Sequence, residues 1–161
     1  MLFRSKKLAA AALAAVLALS MVGCGAGGTG SAFNTKEEVL NYICDYYYTY
    51  TYAEKTANRD TTLDTLAADL ITAANQAEGK EVREKLWRAA HDEKFSDCVY
   101  CYDICTDLKT SVMKEQYLKD LCRKIIIETN YADEINIGAE TGKIGDKTYI
   151  VVMAKAVPSS H

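Results

Sequence analysis

Cysteine has the widest chemical reach in this sequence, and it is unevenly spread. Cys98-Val99-Tyr100-Cys101-Tyr102-Asp103-Ile104-Cys105 sets three thiols close together, while Cys24, Cys44 and Cys122 stand apart. A C-x-x-C spacing serves a redox pair, half of a zinc site, or two halves of different structural bridges. A redox pair wants a thioredoxin-like strand-helix-strand setting, and no such pattern surrounds Cys98 and Cys101. A zinc site wants two more donors, for which Cys122 and His91 are the only plausible sources. The plain alternative is that these cysteines are structural or unpaired. The second histidine, His161, is terminal, so no Ser-His-Asp set is credible. There is no P-loop and no G-x-G-x-x-G, which argues against nucleotide chemistry.

The first residues read as an address. Arg4, Lys6 and Lys7 form a positive n-region, and Leu8 to Val22 is apolar apart from Ser20. That run is short for a membrane span and right for a signal-peptide core. It ends in Leu19-Ser20-Met21-Val22-Gly23-Cys24, which resembles a bacterial lipoprotein signal. The family pattern is a small residue before an invariant cysteine, with an aliphatic residue three before it. Gly23 and Cys24 match, and Met21 stands where leucine is usual. The resemblance implies cleavage before Cys24 and acylation of its sulfur and amine. It also implies a lipid-anchored place on the bacterial cell membrane, facing outside the cytoplasm. Several acyl chains anchor firmly where one does not. The chain then divides into a signal peptide (1–23), an acylated cysteine with a flexible glycine-rich tether (24–33), a domain (34–157) and a tail (158–161). With Cys24 lipidated, Cys44, Cys98, Cys101, Cys105 and Cys122 remain. Outside the cytoplasm disulfides are permitted. An odd number leaves a thiol over, or pairs it between chains, and the sequence does not choose among the pairings.

The whole chain has 161 residues, 49% hydrophobic and 25% charged, values that fit one folded domain. Losing residues 1–23 removes three positive charges and no negative ones, taking the net charge from −3 to −6. That sign argues against nucleic-acid binding and against charge-driven attraction to an anionic membrane. The expected partners are the membrane, through the anchor at Cys24, and a protein, lipid or cell-wall ligand.

The elements that must position the cysteines are mostly helical. Val39, Leu40, Ile43 and Tyr46 or Tyr47 share one face of a helix predicted over about 35–57. Six of the eleven tyrosines lie between 42 and 52. A tyrosine-rich face serves packing, or binds partners or carbohydrate. Asn58 to Thr62 reads as a turn, and Thr61 or Thr62 can cap a second helix. Leu63, Leu66, Ala67, Leu70, Ile71 and Ala74 repeat at helical spacing, Glu81 to Ala90 continues as helix, and Trp87 reads as packing. Phe95 to Asp107 reads as irregular or holding a short element. Ser111 to Ile127 reads as a helix. Ile135 to Ala139 and Lys147 to Val157 read as two strands of a hairpin. Helices followed by a C-terminal hairpin define an α+β fold.

The last third carries a second resemblance. Arg123, Ile126, Asn130, Tyr131, Ile135, Ile137 and Gly138 follow a signature of the cysteine-rich secretory, venom-allergen and plant pathogenesis-related superfamily, the CAP family. Leu63-Asp64-Thr65-Leu66-Ala67-Ala68 resembles its first helical block, and His91 with Phe95-Ser96-Asp97 its first histidine and trailing residues. The family's second histidine position holds Cys122, and its Gly-Glu-Asn-Ile motif is replaced by Tyr102-Asp103-Ile104. The resemblance implies a single α-β-α sandwich whose cleft gathers His91, Asp103, Glu115 and Cys122. Sulfur and imidazole together would favour a divalent ion such as Zn²⁺ over Mg²⁺ or Ca²⁺. The function implied is a tethered, non-enzymatic binding protein with a degenerate cleft. The alternative is a thiol- or metal-dependent hydrolase centred on Cys122 and His91.

Overall fold

The structure is a computed structural model that describes residues 36–50, 55–105 and 111–159, with no side chains for 111–115. The signal, Cys24, the tether and His161 lie outside the described residues.

Helix α1 (Lys36–Tyr50) buries Val39, Leu40, Ile43 and Tyr47, one stripe at helical spacing, and carries Glu37 and Glu38 in its first turn. It is described as far as Tyr50; residues 51–54, in the predicted last turns, lie outside the described residues. Strand β1 (Thr56–Arg59) follows where helix and turn are expected. Its Arg59 guanidinium grips both carboxylate oxygens of Glu37, at 2.7 and 3.1 Å, and ties the strand to α1. Helix α2 (Thr61–Gln76) is capped by Asp60, one residue before the expected threonines, whose carboxylate accepts from the Thr62 N–H. It buries Leu63, Ala67, Leu70, Ile71 and Ala74. Helix α3 (Val82–Ala89) buries Leu86 and Ala89. A single 3₁₀ turn (Glu93–Phe95) leads into strand β2 (Val99–Ile104).

Helix α4 (Ser111–Glu128) buries Leu118, Leu121, Cys122, Ile125 and Ile126. It closes in a Schellman motif: the Tyr131 N–H donates to the Ile126 carbonyl and the Asn130 N–H to Ile127, both at 2.9 Å. Asn130 (φ 53°) and Tyr131 (φ 56°) both sit in the left-handed region. Strands β3 (Glu134–Ile144) and β4 (Lys147–Ala156) then form the expected hairpin around Gly145 (φ 68°).

The sheet order is β1-β3-β4-β2, with β1 parallel to β3 and the other pairs antiparallel. Strands β3 and β4 are therefore central, and the run Ile150–Ala154 is buried throughout because both its faces are covered. One core lies between α1, α4 and the sheet face of Cys101, Ile135, Ile137, Ala139, Ile150, Val152 and Ala154. The second lies between α2, α3 and the opposite face, with Ile144, Val151 and Met153. The fold is thus α+β, a single helix-sheet-helix sandwich.

Gly138 sets how closely α2 sits on the sheet. A Cβ there would lie 2.4 Å from the Asp64 amide nitrogen and 2.6 Å from the Leu63 carbonyl carbon. That contact lets the Asp64 carboxylate accept from the Ala139 N–H at 2.8 Å. Lys36 then reaches Glu140 at 3.0 Å and Asp64 at 3.8 Å, linking α1 to this point.

Candidate functional site

The structure does not bring His91 and Cys122 together. Cys122 points from α4 into the core on one face of the sheet and is 2% exposed. His91 follows α3, which packs with α2 on the opposite face. It is exposed, its Nδ1 lies 2.7 Å from the Trp87 carbonyl oxygen, and its ring stands edge-on to the Trp87 ring. Trp87 is 58% exposed, so it is a surface ring and not the expected packing residue. The sheet lies between the imidazole and the sulfur. Asp103 faces α4, on the Cys122 side, and the Glu115 side chain lies outside the described residues. The four-residue cleft implied by the resemblance therefore has no common space for His91 and Cys122. The donor set for a zinc ion does not fit, and no proton can pass directly from that thiol to that ring.

The C-x-x-C motif is taken apart by the strand it lies on. Neighbouring side chains on a strand point to opposite faces, so residues three apart diverge. Cys98 packs with the Leu63 core, whereas Cys101 and Cys105 pack with the Cys122 core. Burial pushes the Cys101 and Cys122 thiols up to about 12, away from the thiolate needed for nucleophilic or metal chemistry. Cys44 and Cys98 are also raised, again chiefly by burial. Cys44, Cys98, Cys101 and Cys122 are free thiols, and among the described residues no group of three or more His, Cys, Asp or Glu side chains is placed to hold a metal.

Concave surface lies elsewhere, at the outer edge of the sheet. A groove of about 400 Å³ runs between β2 and α4. Strand β2 supplies Tyr100, Cys101, Tyr102 and Asp103. Helix α4 supplies Tyr117, Asp120, Leu121, Lys124 and Glu128, a stripe at spacings of three and four along one helix face. Leu121 and Cys101 are buried and make the floor. Tyr117 is 43% exposed at one end. Tyr102 meets Tyr149 edge-on on the far side of the sheet, which fixes the β2 side of the groove.

The charge in the groove is predominantly negative. Among the described residues, Asp103, Asp120 and Glu128 face it against one cation, Lys124. Asp120 is held by Arg123 and by Gln116, each at 3.1 Å. Asp103 is half-buried, and that burial raises its carboxyl above the ordinary value; a hydrogen bond from the Ile104 N–H and the charge of Lys124 offset only part of the effect. Keeping Asp103 ionised in this place is a cost the fold bears at neutral pH.

Apart from Asp103, the groove residues are not among the expected site residues. The signal for β2 was present as the alternation of Val99, Cys101 and Asp103 with Tyr100, Tyr102 and Ile104, but its two sets differ little in polarity. The α4 stripe reads as an ordinary solvated helix face.

Comparison with known proteins yields no match: no family model, no curated protein and no solved structure is similar to this chain.

Proposed function

We propose that this protein is a lipid-anchored binding module held on the outer side of a bacterial cell membrane, working through the groove between β2 and α4 and not through thiol or metal catalysis. The observation that carries the reading is that groove, a concave surface with a buried floor, Tyr117 at one end and a carboxylate kept half-buried against its own preference. A carboxylate that lines a cleft and whose burial opposes its charge marks a candidate functional position. The lipoprotein-like signal ending in Gly23-Cys24 supports the anchor. The separation of His91 from Cys122 weighs against the hydrolase alternative. Among the described residues that the CAP resemblance places in a cleft, Asp103 alone lines the groove.

The test has two parts. Cells given a labelled fatty acid should incorporate it into the wild-type protein and not into Cys24→Ala, and protease added to intact spheroplasts should remove the domain. A protein that takes up no label, or one shielded from the protease, ends the anchored reading.

A further inference from the structure

The outer edge of β2 defines what the groove can hold. Strand β4 pairs with β2 from Val99 to Ile104, and just beyond it the Cys105 N–H donates to the Thr148 carbonyl at 2.9 Å. In an antiparallel ladder alternate residues turn their backbone groups to the same side. Cys101 and Asp103 therefore face β4 with Cys105, and the N–H and C=O groups of Tyr100 and Tyr102 face outward. Among the described residues no strand lies outside β2. The next outward donor, the Ile104 N–H, is closed by the Asp103 carboxylate at 2.7 Å. What remains is a slot two residues long with two donors and two acceptors at strand spacing. Beside it lies the groove with its excess of negative charge.

We propose that the β2 edge takes an extended peptide segment of another protein that carries a lysine or arginine, the segment adding as a fifth strand while its cation enters the groove toward Asp103 and Glu128. The proposal rests on the binding-module reading and narrows it to one ligand class. Strand addition supplies backbone hydrogen bonds of no sequence preference, and a side-chain pocket supplies the selection. Here the pocket selects by charge: with Asp120 paired to Arg123, Asp103 and Glu128 against Lys124 leave room for a cation and reject an anion. The same charge disfavours a second copy of this chain. Two β2 edges paired about a two-fold axis would set two acidic grooves side by side. The edge is also unprotected in the usual sense, with no lysine or proline among Val99–Ile104. Burial of Asp103 adds an independent indication, since an arriving cation would relieve the cost of its charge.

The test is a titration of the full chain, ¹⁵N-labelled and held in detergent micelles, with three blocked peptides. The first is Thr-Val-Thr-Lys-Thr-Val-Thr. The second has glutamate in place of the lysine. The third keeps the lysine and is N-methylated along its backbone, which removes its donors. The lysine peptide should shift the Tyr100 and Tyr102 amides, and the other two should bind at least tenfold more weakly. Asp103→Asn should weaken the lysine peptide at least tenfold while the melting temperature holds or rises, which separates lost recognition from lost folding. Equal binding of the glutamate peptide overturns the charge selection. Equal binding of the N-methylated peptide overturns strand addition. If no peptide shifts these amides but chitotetraose does, the groove is a binding site and the peptide proposal is wrong. If the amides change with protein concentration alone, the edge pairs with itself and the proposal is wrong. If neither peptide nor sugar moves any residue of β2 or α4, the proposal and the binding-module reading fall together.

Discussion

Replacing Gly138 by alanine tests whether α2 is seated on the sheet as described. The added Cβ would meet the Asp64 nitrogen at 2.4 Å, the Leu63 carbonyl carbon at 2.6 Å and the Leu63 Cβ at 2.7 Å, where ordinary contact begins at 3.4 Å. Two of these are main-chain atoms, so no rotamer change relieves the clash, and the start of α2 must lift by about 1 Å. Overpacking of this kind costs about 1–3 kcal/mol. The lift also strains two hydrogen bonds, from Ala139 N–H to Asp64 Oδ1 (2.8 Å) and from Asp60 N–H to the Ile137 carbonyl (2.9 Å). Their loss adds about 2–3 kcal/mol, one acceptor being charged. The lower entropy of an unfolded alanine returns about 0.5–1 kcal/mol. The net is about 4 kcal/mol, a large part of the stability of a domain this size. Gly142→Ala is the control, because its Cβ would lie 3.0 Å from the Cγ2 of Ile71, a side-chain atom, and the cost there is about 1 kcal/mol. Urea unfolding followed by circular dichroism measures both. The midpoint of Gly138→Ala should fall several times further than that of Gly142→Ala, with unchanged slopes. Equal small falls would show that α2 does not rest on Gly138, and the packing argument would fail.

Other outcomes follow from single residues. Tyr131 is 58% exposed and held at φ 56°, so Tyr131→Gly removes backbone strain and little packing; chemical denaturation should show a gain of about 0.5–1 kcal/mol. Burial raises the Cys101 and Cys122 thiols from 9.0 to about 12, so above about pH 9 the unfolded chain releases protons that the folded chain retains. The contribution of these two thiols to stability should be constant below that pH and fall toward pH 12, by up to about 1.4 kcal/mol per pH unit for each thiol, with Cys122→Ala removing one share of the slope. For the same reason both thiols should resist iodoacetamide at neutral pH until urea unfolds the domain. The one tryptophan is an exposed ring, so iodide should quench its emission in the folded protein, and a blue-shifted, unquenched Trp87 would contradict its placement.

The hairpin and the two long helices were legible because their apolar residues repeat without interruption. Leu63, Ala67, Leu70, Ile71 and Ala74 mark α2, and the unbroken run Ile150–Ala154 marks a strand covered on both faces. Strand β1 was not legible. Thr56-Ala57-Asn58-Arg59 has no apolar alternation, and it becomes a strand through backbone bonds to β3, such as the Thr56 N–H to the Asp133 carbonyl. No local pattern announces a parallel partner 78 residues further on, as Thr56 pairs with Glu134. The groove was hidden for a related reason. Its residues come from an edge strand and a solvated helix stripe, and only the sheet order makes them neighbours. His91 and Cys122 stood out by residue type, yet residue type does not say on which side of a sheet a side chain ends.

The cysteines show how the fold redirects chemistry that the sequence holds in prospect. A thiol becomes a nucleophile or a ligand only where water or a cation supports its charge, and without that support it behaves as a small apolar group. Cys101 and Cys122 fill the core between β2 and α4 in that second role. They thereby form the base on which the groove stands, Cys101 in its floor and Cys122 one residue beyond Leu121 on α4. The polar and charged groups then collect at the rim, where the unsatisfied edge of β2 and the carboxylate of Asp103 face outward. In the proposed reading, recognition at the groove takes the place of the reactivity sought at the sulfurs. A serine at Cys101 would cost stability and leave the rim intact, whereas a neutral Asp103 would keep the fold and empty the groove of its selectivity. The two substitutions separate the support from the site, and a protein whose work depended on its thiols would answer them in the opposite order.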